Sequence, residues 1–318
     1  MKVIIAGGTG AIGTALISFL LQRNHQVILL SRKDIVAAPR VHALHWDGEH
    51  VGPWKIWCEN ADIIINLCGK SVNCRYTEKN KLQILRSRLR STRAIGKLIQ
   101  SLERPPAVWL NASSATIYEG TYDGPQDEIT GVIGSDFSMD VCRDWEAEAM
   151  HAVTPSTNKI LMRTSIVLDP DQGALPLYKR IAKMGFGGRM GSGEQMMSWI
   201  HIDDLCRAIL FLATQQHISG PVNITSPYAI TNTEFMQSLC RAMHIPVALP
   251  NPEWMLQLGT AIIGTEMELI MKSRWVYPQR LLEAGFTFSY PNIEQALADL
   301  LADKSTGMPV PYARELQR

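Results

Sequence analysis

The sequence contains no apolar run of the roughly eighteen or more residues that a spanning helix requires, so no transmembrane helix is expected. It also has almost no charge imbalance. With 31 Lys and Arg against 30 Asp and Glu, the net charge of +1 gives no general attraction to nucleic acid or to an anionic membrane, and neither is an expected partner. Its six cysteines (Cys58, Cys68, Cys74, Cys142, Cys206 and Cys240) are scattered without a C-x-x-C pair or paired histidines. That pattern argues against a zinc site and against a disulfide framework, and fits a reducing, cytoplasmic setting. No metal is expected. His201-Ile202-Asp203-Asp204 is a single short cluster ahead of a helical run, and reads as a helix cap. The first apolar strand begins at Lys2, and no signal peptide is expected. Internal repeats and low-complexity tracts are missing as well.

What is present is ordinary globular material: 318 residues, 46% hydrophobic, enough for one large domain or two modest ones. The most informative stretch is Val3-Ile4-Ile5-Ala6-Gly7-Gly8-Thr9-Gly10-Ala11-Ile12-Gly13. An apolar strand runs directly into glycines at G-x-x-G-x-x-G spacing, the pattern of a dinucleotide site. Gly7 would turn the chain sharply, Gly10 would let the backbone approach a pyrophosphate, and Gly13 would let the helix pack close to the sheet. Gly7, Thr9, Gly10, Ala11, Ile12 and Gly13 are therefore candidate cofactor contacts, with free amides at a helix N-terminus to hold the anion. Ile12, Ala15, Leu16, Phe19 and Leu20 follow helical spacing, Asn24-His25 offers a left-handed stop, and Val27 to Leu30 begins a second buried strand.

The tip of that second strand bears on which dinucleotide is bound. An NAD site usually carries an acidic residue there for the ribose 2′-hydroxyl, whereas this chain has Ser31-Arg32-Lys33, suited to a 2′-phosphate. NADP is the expected cofactor, with Ser31 and Arg32 as contacts. Asp34 is the competing residue, and a basic loop lying in solvent is the plain alternative.

Further apolar runs at Val41–Trp46, Asp62–Leu67, Ala107–Ala112, Lys159–Arg163 and Pro221–Ile224 alternate with helical segments. The expected fold is α/β: a Rossmann-type doubly wound parallel sheet, with a second, smaller C-terminal substrate lobe. The expected division is an NADP-binding domain over 1–168, completed by about 201–226, a substrate lobe over 169–200 and 227–302, and a tail over 303–318 that could be an arm on a partner. From Glu78 to Ser101 a helix is expected, with Leu82, Leu85, Leu89 and Ile99 on its apolar face. Its basic residues Lys79, Arg86, Arg90, Arg93 and Lys97 read as a solvated or subunit-facing surface, with anion binding as the alternative, and a homodimer is a possible assembly.

With the glycine motif, the strand end Asn66-Leu67-Cys68-Gly69 and Ala112-Ser113-Ser114-Ala115-Thr116-Ile117-Tyr118, the chain resembles the extended short-chain dehydrogenase/reductase family over nearly its whole length. Within it, the chain is most similar to an atypical branch named for sugar-nucleotide epimerases. That branch shares the run Gly191-Ser192-Gly193 through Ser198-Trp199-Ile200-His201-Ile202-Asp203-Asp204. It also shares a C-terminal segment of unknown function, matched here by Pro278 to Phe286 and Glu294 to Leu297.

The resemblance implies cofactor contacts from Leu67, Cys68, Gly69 and Ser113. It also implies a catalytic group of Ser or Thr, Tyr and Lys, in which the phenol exchanges a proton with the substrate oxygen while hydride moves to or from nicotinamide. Ser114 occupies the hydroxyl position. The other two are missing: none of the eight tyrosines is followed four residues later by lysine. About twenty-five residues after Ser114, where the pair belongs, alignment offers Met139/Arg143 or Asp140/Asp144. Tyr118 is the first substitute expected for the phenol and Arg143 for the positive charge, with Asp140, Asp144, Cys142 and Glu146 as other acids.

Two diphosphate anchors of nucleotide-sugar members are also replaced, by Ile166 and Met197. Arg189, beside the amides of Gly191 to Gly193, is the candidate anion anchor in their place, and Trp199 a candidate wall of an apolar substrate pocket. Two functional readings result: an NADP-dependent oxidoreductase or epimerase-type enzyme on a small hydroxyl or carbonyl substrate, or a non-catalytic NADP(H) sensor acting through a partner.

Overall fold

A computed structural model of the chain describes residues 1–35, 39–215, 217–257 and 266–302; the expected tail at 303–318 lies outside them. Seven strands form one sheet: β1 (Lys2–Ala6), β2 (Gln26–Ser31), β3 (Val41–His45), β4 (Ile63–Asn66), β5 (Val108–Ser114), β6 (Asn158–Thr164) and β10 (Gly220–Ile224). Their order is β10-β6-β5-β4-β1-β2-β3, and every pairing is parallel. This is the doubly wound α/β architecture. Parallel neighbours need crossover helices, and the strands are apolar on both sides because both faces are covered.

The two faces are legible in β1 alone. Val3 and Ile5 join Leu16 and Ile17 of α1 (Ala11–Gln22) and Leu205 and Ile209 of α5 (Ile202–Thr214). Ile4 and Ala6 face Ile95 and Leu98 of α2 (Glu78–Gln100) and Ala149 of α3 (Phe137–His151). The order reverses between β1 and β4, and the crevice at their carboxyl ends is where an open α/β sheet takes its ligand.

Helix α2 forms where expected and buries Ile99 as expected, but the rest of its buried stripe is different. Ile84, Ser91, Ala94, Ile95 and Leu98 face the sheet, whereas Leu82 is 44% exposed and Leu85 and Leu89 are only half-buried. The packing face is set by small residues. Gly96 lets the helix approach until an added Cβ would sit 2.8 Å from Ala152 Cβ, and Ser91 and Thr92 are buried on the same helix.

A second lobe grows from the carboxyl edge of the sheet. β7 (Ile166–Leu168) pairs with β9 (Trp199–His201), and β8 (Met196–Met197) with β11 (Ile230–Thr231). Around them α4 (Leu175–Ile181), α6 (Asn232–Ala242) and α9 (Ile293–Leu301) enclose a separate core of Trp199, Phe235, Met236 and Leu297. Between α6 and α9, α7 (Glu268–Met271) belongs to this end of the molecule, while α8 (Gln279–Glu283) returns to the first core through Leu281 and Phe286. Among the described residues no helix is long and apolar enough to cross a membrane.

A Cβ on Gly13 would lie 2.4 Å from Gly8 Cα, backbone against backbone, so neither side can yield locally. Gly13→Ala is expected to lower stability by about 1–3 kcal/mol in chemical denaturation, the usual cost of overpacking.

Candidate active site

The strand-to-helix turn after β1 is built by steric necessity. Gly7 adopts φ +78°, and a side chain there would strike Cys68 N at 2.8 Å; Gly8 is enclosed by Leu29, Ile17 and Ile5. Gly10 caps α1 with no side-chain hydrogen bond, and the first turn carries no acidic residue. The leading amides of the helix, at Ala11, Ile12 and Gly13, therefore have no side chain capping them, and the positive end of the helix is not neutralised.

Gly7 and Gly10 border a cleft of about 810 Å³, whereas Ala11, Ile12 and Gly13, also expected as contacts, are not among its lining residues. It brings together Gly7, Thr9, Gly10, Ser31, Arg32, Leu67, Cys68 and Gly69 of the expected set. Asn66 fixes the loop after β4: its Oδ1 accepts from Cys68 N at 3.1 Å, while its amide donates to Asn111 Oδ1 at 2.8 Å. Lys33 also lines the cleft, its backbone N–H donating to Ser31 Oγ at 3.0 Å. Asp34 does not line it; its carboxylate is 96% exposed and pairs with His45 Nδ1 at 3.2 Å.

Part of the lining came from residues that sequence reasoning did not select. Trp46 to Glu49 follow β3, and Arg86 and Arg90 project from α2, with Arg90 paired to Glu49 at 2.6 Å. Their i,i+4 spacing is visible in the sequence, where it fits a solvated or subunit-facing surface as well as an anion-binding one. The cleft makes Arg86 and Arg90 part of its wall. Of the acidic pair, Asp47 is held by its own turn, accepting from Glu49 N and His50 N at 2.8 Å, which lowers its pKa to about 2.

The candidate catalytic residues Ser114, Tyr118 and Arg143 each bond to other partners. Ser114 closes β5, donating to Thr116 Oγ1 at 3.0 Å and accepting from Thr116 N at 3.2 Å. Tyr118 is 2% exposed, and its hydroxyl donates to Asn223 Oδ1 at 2.9 Å and accepts from Arg163 Nη1 at 2.8 Å. Both lone-pair and proton directions are engaged, and burial pushes its pKa up, so this phenol braces the interior instead of facing a substrate. Arg143 is half exposed on α3 and paired with Asp140 at 2.8 Å.

Beneath the strand ends lies an ion pair in place of an open acid. Arg163 grips Glu146 through two hydrogen bonds of 2.8 Å, and Glu146 also accepts from Ser113 Oγ at 2.6 Å. Ser113 is thereby turned away from the cleft, and Glu146 is not an unpaired carboxyl. Cys142, nearby on α3, has its thiol pushed up to about 12 by burial.

The two substrate candidates also take other positions. Trp199 is fully buried, its indole N–H donating to Tyr228 O at 3.1 Å, and forms the middle of the second core. Arg189 is exposed and donates to Ser192 O at 3.1 Å. The amides expected to assist it are occupied: Gly191 N donates to Asn251 O and Gly193 N to Met190 O. His201 caps α5, Nδ1 accepting from Asp203 N at 3.0 Å.

Residues 3–225 match the model of the NAD dependent epimerase/dehydratase family. The chain belongs to that family. Residues 251–300 match a domain of unknown function that covers α7 to α9. Epimerase family protein YfhF of Bacillus subtilis is 33% identical over 307 residues, covering 96% of this chain and all of that protein. Epimerase family protein SERP0438 of Staphylococcus epidermidis is 33% identical over 301 residues, covering 94% and 99%. Among solved structures, human epimerase family protein SDR39U1 with NADPH is similar at TM-score 0.82 and 29% identity, covering 94% of this chain and 99% of that one. MoeE5 with UDP-glucose and NAD shares the fold at TM-score 0.72 and 18% identity, covering 94% and 97%. The epimerase/dehydratase fold is thus common to partners of both dinucleotides.

Replacing the Tyr118 hydroxyl leaves Arg163 Nη1 and Asn223 Oδ1 without their partner in a dry interior. Tyr118→Phe is expected to lower unfolding free energy by about 1–3 kcal/mol by urea titration; a proton-transfer role alone would leave stability unchanged.

Proposed function

We propose that the chain is an NADP-dependent oxidoreductase or epimerase-type enzyme acting on a small hydroxyl or carbonyl substrate. The observation that carries this reading is the cradle at the β1–β4 crossover, with an uncapped helix N-terminus at one end and Arg32 and Lys33 on the wall at the other. Gly7, Thr9, Gly10, Ala11, Ile12 and Gly13 would receive the pyrophosphate, Ser31 and Arg32 the 2′-phosphate, and Leu67, Cys68 and Gly69 the face beyond. A bound nicotinamide would supply hydride transfer. NADPH in the SDR39U1 structure agrees with the choice of NADP, and Asp34, directed at His45, supplies no competing ribose acceptor.

On the substrate side, Ser114 stands at the carboxyl end of β5 with a hydroxyl bonded only within its own turn. Turning its proton from Thr116 to a substrate oxygen would orient that oxygen without disturbing the core. The buried Glu146–Arg163–Tyr118 network holds β5, α3, β6 and β10 in fixed relation, so that Ser114 is presented on a rigid edge. A sensor that binds NADP(H) without turnover is the second reading, favoured by the lack of any tyrosine with lysine four residues on.

Purified protein with NADPH and a panel of carbonyl compounds separates the two. Substrate-dependent loss of NADPH absorbance, reduced about 100-fold or more by Ser114→Ala, is the expected outcome; tight NADPH binding with no turnover across the panel supports the sensor. Arg32→Ala should weaken NADPH by about 1–3 kcal/mol and leave NADH nearly unchanged in calorimetry. Equal losses for both would remove the 2′-phosphate role.

A further inference from the structure

Residues 273–277 run as a strap between the second lobe and the loop after Ser114. Ser273 Oγ donates to Thr121 O at 3.0 Å, Arg274 N to Met196 O at 2.8 Å, and Ser198 N to Arg274 O at 3.0 Å. The strap fixes the Arg274 backbone at the carboxyl end of the sheet, where the two lobes meet.

The Arg274 side chain is only 11% exposed, yet its Nε and Nη2 groups are buried and make no hydrogen bond. Its nearest paired carboxylate oxygen, Glu268 Oε1, is 4.0 Å from Nη2 and 3.6 Å from Lys272 Nζ; it too makes no hydrogen bond. Asp136 is already engaged, capping α3 at Met139 N and pairing with Lys272. Arg88 is engaged as well, donating to the carbonyls of Lys70 and Ile84 at 3.0 Å with its guanidinium over Trp145.

Within electrostatic reach of Arg274 stands Tyr76, whose ring packs edge-on against Phe137 at 5.0 Å and whose N–H is tied to Glu266. The Tyr76 hydroxyl is buried beside Ser138 and has no hydrogen bond of ordinary geometry. Burial disfavours the charged form of Arg274, and leaving charged donors unmet in the interior is costly. A donor-rich interior with one loosely held counter-charge suits an acceptor-only group brought in from outside.

We propose that Arg274, with the Tyr76 hydroxyl, forms a subsite for an oxyanion carried by the substrate, a carboxylate or a phosphate. This rests on the enzymatic reading of the cleft and narrows it: the carbonyl or hydroxyl compound is anionic. Glu268 holds Arg274 in the free protein and yields it to the incoming oxyanion, which takes the two guanidinium N–H groups.

The test uses the full chain loaded with NADPH and calorimetric binding, so that it does not depend on turnover. Pyruvate is compared with pyruvamide, and dihydroxyacetone phosphate with dihydroxyacetone; the stronger anion identifies which group is recognised. The expected result is that one anion binds at least ten-fold more tightly than its neutral counterpart, that Arg274→Met removes this preference with Tm unchanged or raised, and that Glu268→Gln strengthens anion binding several-fold. Equal binding of anion and neutral analogue, or retention of the preference in Arg274→Met, overturns the subsite. If Arg274→Met fails to fold, Glu268→Gln decides, and unchanged anion affinity there overturns it too. Anion binding without NADPH oxidation would leave the subsite standing and remove the hydride-transfer reading. Turnover indifferent to substrate charge would do the reverse.

Discussion

The fold is organised around one close approach, where the backbone of Gly13 at the start of α1 lies against the backbone of Gly8 at the end of β1. With no side chain at either position, the first turn of α1 packs directly against the turn that follows β1. The crossover of the strand order then leaves a crevice there, and Gly7, at positive φ, brings Cys68 to its other edge. Side chains at these glycines would push the helix outward and close the space between the two loops. The candidate cofactor cleft is thus a consequence of missing Cβ atoms before it is a matter of any recognition residue.

Below the candidate substrate side, the interior is arranged differently from what a catalytic Tyr-Lys pair would require. Arg163 and Glu146 form a buried bidentate pair, and Tyr118 and Asn223 complete the arginine's surroundings. Buried ions carry a large desolvation cost, offset here by near-complete hydrogen bonding, and removing one partner of such a pair typically costs several kcal/mol. The polar residues of this region are mainly joints between strands. Arg274 differs because its donors are left unmet in an equally dry setting.

Legibility in the sequence followed the range of the interactions. The βαβ opening and the strand positions could be read because apolar runs and glycine spacing are local signals, and Asn24 does take the left-handed conformation expected at the end of α1. Which face of α2 is buried could not be read from leucines: small residues at Ser91, Thr92 and Gly96 decide how close the helix comes, and that depends on Trp109 and Ala152 far along the chain. Tyr118 sits four residues beyond Ser114, but the direction of its hydroxyl is set by Arg163 and Asn223, 45 and 105 residues away. Trp199 and Arg189 illustrate the same limit. Residue type suggested exposure to a ligand, whereas long-range packing placed one in a core and the other on its own loop.

Asn223 has a second side to its role, since its amide donates to Tyr277 O while its backbone N–H donates to Glu128. Ser198 Oγ likewise meets Arg274 O and Val276 N. The C-terminal segment is therefore stitched to the sheet by side chains that lie in the N-terminal family-matched portion of the sequence. For anyone recombining relatives of this chain, the transferable piece is not the stretch after residue 250: a graft would have to bring Ser198 and Asn223 with it, or the incoming strap would lose its side-chain bonds at Arg274 O, Val276 N and Tyr277 O.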